Sequence, residues 1–422
     1  MKKTLLIIST CIALFSQAQP FPVGRMTINF KDASRTGGSA ASATITVPTG
    51  GTGRSIGTQM FYPATTAGNN TSAATGQFPV VVFGHGFVMA ASDYTNVANR
   101  LASLGYIVAL PRTENEGPIP FPIPDHAQFA ADIAFLASAV QTLNTTTITS
   151  LSSFNGKVTN KSAIGGHSMG AGCAYIGAQN NTTLTCLFNM AAATSNTASA
   201  TNSSTAGAGL VTVPTLVISG EKDNVADTTV QNNHYNPTAS AIKFHVIIKD
   251  VTHCDFGNGT SGTCTIGQAA CSGAGCNATM FARYMSYLEP FLDNLLKNDC
   301  AAGNTFMSLI QNPSADRVGR KITGTLACTT TGIQNHNFNQ QFSIYPNPTE
   351  GKLDIAFHTE IKSAVLFELY DISGRLVLTS TQNIDNSAEM KKELNLENLD
   401  NGSYILYVRQ NEFKTAYKII KQ

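Results

Sequence analysis

The sequence predicts an α/β protein, a mostly parallel sheet with helices on both faces, followed by a small all-β sandwich. Three observations carry this reading. Short, mostly apolar runs recur between residues 79 and 248, as strands buried on both faces require. Segments with apolar residues at helical spacing lie between them, and strand–helix alternation builds a parallel sheet. From Phe342 onward the pattern changes to short β segments separated by turn residues.

The buried runs are Pro79 to Phe83, Tyr106 to Leu110, Ser162 to Ile164, Leu187 to Met190, Thr215 to Ser219 and Phe244 to Ile248. Ser92 can cap a helix in which Val97, Leu101 and Leu104 share a face, and Gly105 ends it. Asp125 can cap a second, with Phe129, Ile133, Leu136, Val140 and Leu143 on one side. A late helix, Asn277 to Lys297, should kink at Pro290. Ala191 to Leu210 has few large apolar groups and reads as a flexible loop.

With 422 residues the chain has room for more than one domain. The expected boundaries are a leader over 1–18, a catalytic domain over 19–328, a polar linker over 329–340 and a C-terminal domain over 341–422. Lys2 and Lys3 precede an apolar run from Leu5 to Phe15, and Ser16-Gln17-Ala18 offers small residues for cleavage, as in a secretory signal peptide. That run is too short to span a bilayer, and the mature protein should begin at Gln19 without a transmembrane segment. A net charge of +1 with no block of like charge argues against nucleic acid or an anionic membrane surface as partner. Nine cysteines are present, and loss of Cys11 with the leader leaves eight, at 173, 186, 254, 264, 271, 276, 300 and 328. An even number in an exported protein predicts disulfides, and the spacing does not suit a metal.

Gly166-His167-Ser168-Met169-Gly170 matches G-x-S-x-G between a strand and a helix. Glycines around so tight a turn push the serine hydroxyl outward as a nucleophile, a setting that a chance Gly/Ser turn lacks. A serine needs a base, and the base an orienting carboxylate. Asp223 follows the strand that starts at Thr215, and His253 follows the next one. Asp227 reads instead as a helix cap, and Asp250 lies too near the histidine's own strand. His245 reads as a packed strand residue, while His126 and His234 have no acid–base context. His85 and His167 stand in the wrong chain order for the base and should shape the loops. A tetrahedral oxyanion also needs two N–H donors. Met169, after the serine, and Phe87, in the loop Gly84-His85-Gly86-Phe87, are the candidates, and both should border the substrate. Asp255, Asn258 and Gly259 read as a turn rather than a calcium loop.

The stretches FPVVVFGHGF, NRLASLGYIVALPR, GGHSMGAG, VPTLVISGEKD and THC make the segment from Gln77 to Lys297 resemble a known group of α/β-hydrolase fold enzymes. This is the dienelactone-hydrolase-like group, which contains bacterial cutinases, polyester hydrolases and chlorophyllases. The resemblance implies an esterase without metal or cofactor. It implies Ser168, Asp223 and His253 as the catalytic set, with Phe87 and Met169 as oxyanion donors. Polymer-cutting members place a tryptophan beside the ester. This chain has none and offers Ala191 to Thr194 there. The ordered catalytic set counts against a non-catalytic surface binder on the same fold, and small-ester or lipid substrates stand beside polymeric ones.

The C-terminal segments Tyr345-Pro346-Asn347-Pro348, Tyr370-Asp371-Ile372-Ser373-Gly374-Arg375 and Asn401-Gly402-Ser403-Tyr404 resemble the type A sorting domain of the type IX secretion system. That resemblance implies the secretion machinery as partner. It also implies export through the periplasm of a Gram-negative bacterium to the surface or medium.

Overall fold

The computed structural model describes residues 20–40, 45–114, 124–196, 203–258, 278–326, 342–359, 363–384, 388–410 and 413–422. The expected leader, the linker and four of the cysteines (Cys264, Cys271, Cys276 and Cys328) lie outside the described residues. The chain divides into two compact units, Met1–Cys328 and Thr329–Gln422.

The main elements of the first unit are, in chain order, β1 (Val23–Asp32), β2 (Arg54–Pro63), β3 (Phe78–Gly84), α1 (Thr95–Ser103), β4 (Ile107–Pro111), α2 (His126–Ala139), β5 (Val158–His167), α3 (Met169–Ala178), β6 (Cys186–Met190), β7 (Thr215–Gly220), α4 (Thr228–Tyr235), β8 (Lys243–Ile248), α5 (Ala278–Lys297), α6 (Cys300–Gln311) and β9 (Arg317–Thr323). Across the sheet the order is β9-β8-β7-β6-β5-β3-β4-β2-β1, with short strands added beyond β1 and β2. Strands β3 to β8 run parallel to their neighbours. Strands β1, β2 and β9 join antiparallel. This is the α/β-hydrolase architecture expected from the sequence.

The six apolar runs form the centre because every residue along them meets a helix layer. In β3, Val80 and Val82 face a core shared with Phe129 and Ile133 of α2. Val81 and Phe83 face the opposite core, with Leu101 of α1 and Leu288 of α5. Each such side chain contributes about 1.5–3 kcal/mol by leaving water. The sequence pattern did not single out β1, β2 and β9. These strands carry charged residues, so they lack the mostly apolar signature of the central strands.

Local starts and stops differ in detail from expectation. Asp125 does cap α2, accepting from the Ala127 and Gln128 N–H groups at 3.0 Å. Ser92 caps nothing; it lies within a short 3₁₀ turn, Ala91–Tyr94, that precedes α1. Helix α5 runs as one element through Pro290.

Two expectations are corrected. Cys173 on α3 and Cys186 on β6 are buried free thiols, so the eight cysteines do not all pair. Burial pushes the Cys173 thiol up to about 12, and that of Cys186 higher. They serve as small core residues. The segment after β6 is not a loose loop along its described length. Its flanks are zipped by the Ser195 N–H to Ser204 Oγ (2.9 Å) and the Ser204 N–H to the Ser195 carbonyl (2.8 Å). Polar bonds order this segment where apolar side chains are scarce.

A buried ion cluster joins β2 to α2. The Arg54 guanidinium grips both carboxylate oxygens of Asp132 (2.7 and 2.8 Å) and also reaches Glu114 (2.8 Å). Burial opposes the charge on Arg54, but these two acids outweigh it and hold the group above its ordinary value. Thr113 Oγ1 donates to Asp132 at 2.7 Å, and Arg35 adds a second cation at 2.8 Å.

The second unit comprises β10 (Ser343–Tyr345), β11 (Lys352–Thr359), β12 (Val365–Asp371), β13 (Leu376–Gln382), β14 (Ala388–Asn395), β15 (Gly402–Gln410) and β16 (Phe413–Lys421). They form two antiparallel sheets, β10-β11-β14 and β13-β12-β15-β16. Alternate residues Val365, Phe367 and Leu369 point into a core shared with Leu353 and Ile355. The turn of the Asp371 to Arg375 motif is closed by Asp371, which accepts from the Ser373 hydroxyl and the Ser373 and Arg375 N–H groups. Gly374 there has φ +81°.

Two stability predictions follow from the buried polar groups. Asp132→Ala strands Arg54 and should cost about 3–5 kcal/mol in chemical denaturation. Burial also lowers His234 to about 4 and His245 to about 3, from an ordinary 6.5. The unfolded chain therefore takes up protons at a higher pH than the folded one, and stability should fall as pH drops from about 6.5 toward 4. Denaturation midpoints measured across that range should show a shallower slope for His245→Asn than for the unmodified protein.

Candidate active site

The parallel strands β3, β5, β7 and β8 end on one edge of the sheet, and each is followed by a candidate group. Ser168 occupies the turn from β5 into α3 with φ 53° and ψ −118°. A non-glycine residue there costs on the order of 1–3 kcal/mol unless its surroundings hold it. They do: its N–H donates to the Met190 carbonyl (3.1 Å), and its carbonyl accepts from Gly172 and Ala193 (3.0 Å each). Close approach allows this turn. A Cβ on Gly170 would collide with the backbone of Gly84 at the end of β3, so the two loops touch through bare backbone.

His253 begins a short turn after β8, which Asp255 ties by accepting from the Thr252 N–H (2.7 Å) and hydroxyl (2.9 Å). Gly259, the last residue of the expected turn, lies outside the described residues. His253 Nε2 lies 2.9 Å from Ser168 Oγ, and its Nδ1 lies 2.8 Å from Asp223 Oδ2. The other Asp223 oxygen accepts from the Val225 and Ala226 N–H groups at 2.9 Å. The three residues are 8%, 6% and 3% exposed for Ser168, His253 and Asp223. His253 thus lies between the serine hydroxyl and the carboxylate, one ring nitrogen to each. The structure thus brings together all three residues singled out from the sequence.

Met169 is the first residue of α3, so its N–H lies at a helix N-terminus, where backbone donors have no helical partner. Its side chain is buried and packed in the core. Phe87 follows β3 with its ring 49% exposed.

The competing groups have other tasks. Asp227 caps α4 through the Thr229 and Val230 N–H groups (2.8 and 3.0 Å). Asp250 occupies a left-handed turn, φ 62°, beside Arg283. His85 places its ring nitrogens 3.0 and 2.9 Å from the carbonyls of Gly86 and Thr113. His234 bonds the Val230 carbonyl and Ser204, and His245 bonds Ser219. His126 accepts from the Asn196 N–H. His167 lies against His253 with ring centroids 4.6 Å apart, and burial together with that neighbour holds it well below the usual histidine range.

Sequence reasoning missed two supporting residues. Buried Gln231 of α4 bonds the backbone of Ala192 in both directions and also the Ala226 carbonyl, joining the segment after β6 to the Asp223 loop. Tyr94 reaches Gly86 and His167. Neither lies in a motif, and only their place in the fold reveals them.

Residues 16–298 match the family model described as PET hydrolase-like, and residues 343–422 match that of a secretion system C-terminal sorting domain. The first match spans more than half of the chain, which belongs to the PET hydrolase-like family. No curated protein matches it. The chain is accordingly an ester hydrolase whose sorting tail addresses it to the type IX secretion machinery for export to the surface or medium. No helix among the described residues is long and apolar enough to cross a membrane.

The geometry separates the two nearby acids. Asp223→Asn should lower kcat by roughly 10²–10⁴ while the fold persists. Asp227→Asn, at a helix cap, should leave turnover of p-nitrophenyl butyrate within a few-fold and shift the melting temperature only slightly.

Proposed function

We propose that this protein cleaves carboxylic esters through an acyl-enzyme on Ser168. The observation that carries the reading is the unbroken chain Ser168 Oγ–His253–Asp223, with its two contacts at 2.9 and 2.8 Å. In this reading His253 Nε2 removes the hydroxyl proton as Oγ bonds to the ester carbonyl carbon. The carbonyl electrons move to oxygen, where the Met169 and Phe87 N–H groups receive the oxyanion. His253 then passes its proton to the departing alkoxide, which leaves as alcohol. Water repeats the sequence on the acyl-enzyme, frees the acid and restores Ser168. Asp223 fixes the ring and balances the transient imidazolium.

Family membership and the exposed rings and aliphatic groups at the site, Phe87 and Val225, favour an extended ester such as a cutin-like or synthetic polyester. A second reading, a small-ester or lipid esterase, is favoured by the small residues Ala191 to Ala193 and the absence of tryptophan. We also place the functional boundaries at 1–18 for a cleaved leader, 19–328 for catalysis, 329–340 for a link and 341–422 for sorting. The division into two compact units supports the separation of the last part.

Ser168→Ala should lower kcat on p-nitrophenyl butyrate by roughly 10⁴–10⁶ with the melting temperature retained. An organophosphonate should label Ser168 alone in peptide mass mapping. Label on another residue, or turnover surviving Ser168→Ala, would sink the reading. Release of soluble acid from polycaprolactone particles decides between the two substrate classes.

A further inference from the structure

Gly86 and His167 belong to different loops, yet each stands next to a proposed working group. Gly86 precedes Phe87, and His167 precedes Ser168 and Met169. One oxygen touches both. The Gly86 N–H donates to Tyr94 Oη at 2.9 Å, and the same Oη lies 2.8 Å from His167 Nδ1 and 2.9 Å from Met89 Sδ. We propose that Tyr94 is a positioning residue that fastens the two halves of the oxyanion hole to each other. The proposal rests on the serine-hydrolase reading above.

The surroundings show a built link. Tyr94 is fully buried, with its ring against Phe83 (5.0 Å) and His167 (5.7 Å). A Cβ on Gly86 would stand 2.9 Å from Tyr94 Oη, so the loop backbone presses directly onto the phenol. The phenol bridges the loops with either nitrogen of His167 protonated, since it can both donate and accept.

The seat of Tyr94 is also tied to the base loop. It ends the 3₁₀ turn Ala91–Tyr94. Asn258, shortly after His253, donates its N–H to the Asp93 carbonyl (2.6 Å) and its amide to the Ser92 carbonyl (2.7 Å) and Thr95 Oγ1 (2.8 Å). Its amide oxygen accepts from the Asn96 N–H at 2.9 Å. The base turn, the Tyr94 turn and the two oxyanion loops therefore share one hydrogen-bonded frame. Donors aimed at a developing oxyanion act through exact placement, and a shift of about 1 Å can lose on the order of 10² in rate.

Tyr94→Phe deletes the oxygen and keeps the ring. We expect kcat on p-nitrophenyl butyrate to fall roughly 10–100-fold with KM within about two-fold. Affinity for a boronic acid, which mimics the tetrahedral oxyanion, should weaken by a similar factor. Tyr235→Phe loses a buried hydroxyl bonded to Thr323 far along the chain and controls for general loosening; its kcat should hold. His167→Asn keeps a polar group to meet the phenol and should retain most activity, whereas His167→Leu should lose as much as Tyr94→Phe. The double variant Tyr94→Phe/His167→Leu should lose no more than the worse single. Unchanged kcat and boronate affinity in Tyr94→Phe, or fully additive losses in the double variant, would overturn the proposal. If Tyr94→Phe does not fold, equal kcat in the two His167 variants overturns it. Activity that survives Ser168→Ala marks failure of the underlying serine reading instead, because Tyr94 has no bearing on that variant.

Discussion

The bare-backbone contact between Gly84 and Gly170 governs the rest of the catalytic unit. Strand β3 can lie directly against the start of α3 only because neither position carries a side chain. That approach lets the chain turn at Ser168 through a conformation that L residues rarely adopt. The strain is held by hydrogen bonds from three separate segments, at Met190, Gly172 and Ala193. The serine hydroxyl is thereby presented to His253, and Met169 opens α3 directly after it. A looser packing of the central sheet would remove all of these at once.

The protein manages a surprising quantity of polar matter in its interior by pairing it. Asp132 balances Arg54 and Arg35, while Asp223 divides its oxygens between His253 and two backbone donors. Serines order the segment after β6 that has few apolar anchors. In each case one missing partner would leave a buried group unsatisfied, which is why such clusters are intolerant of single changes. Several of these networks converge behind the loop after β3. His85 bridges that loop to the Thr113 carbonyl, and Thr113 in turn reaches Asp132. The ion cluster between β2 and α2 is therefore connected to the site by an unbroken run of bonds.

The sorting tail is built on different principles. Its strands alternate buried and exposed side chains and enclose one small apolar core between two antiparallel sheets. Turn residues such as Gly374 and the Asp371 clamp define its hairpins. None of its groups is needed to complete the Ser168–His253–Asp223 chain, whose members all come from the first unit. Division of labour between export and chemistry follows from this separation.

Much of this was legible from residues alone. The mostly apolar runs marked β3 to β8, because a central strand is buried on both faces and admits few polar residues. The G-x-S-x-G turn and the strand-end positions of Asp223 and His253 were readable because chain order in this fold dictates which strand end can carry each group. The cap at Asp125 was readable because capping is local. Other features depended on which distant segments meet. Strands β1, β2 and β9, which carry charged residues, have no distinctive local pattern. The free thiols Cys173 and Cys186 could not be told from paired ones by counting, since pairing is a matter of distance. The packing of the Met169 side chain in the core likewise depends on which segments meet it. Tyr94 and Gln231 acquire their partners only when loops far apart in sequence are stacked on one edge of the sheet. Sequence alone thus determined the fold class and singled out Ser168, Asp223 and His253, which the structure brings together, through local chemistry and chain order. Tertiary structure alone decided what holds those groups in register, because hydrogen bonds between remote loops exist only after the sheet has brought them together.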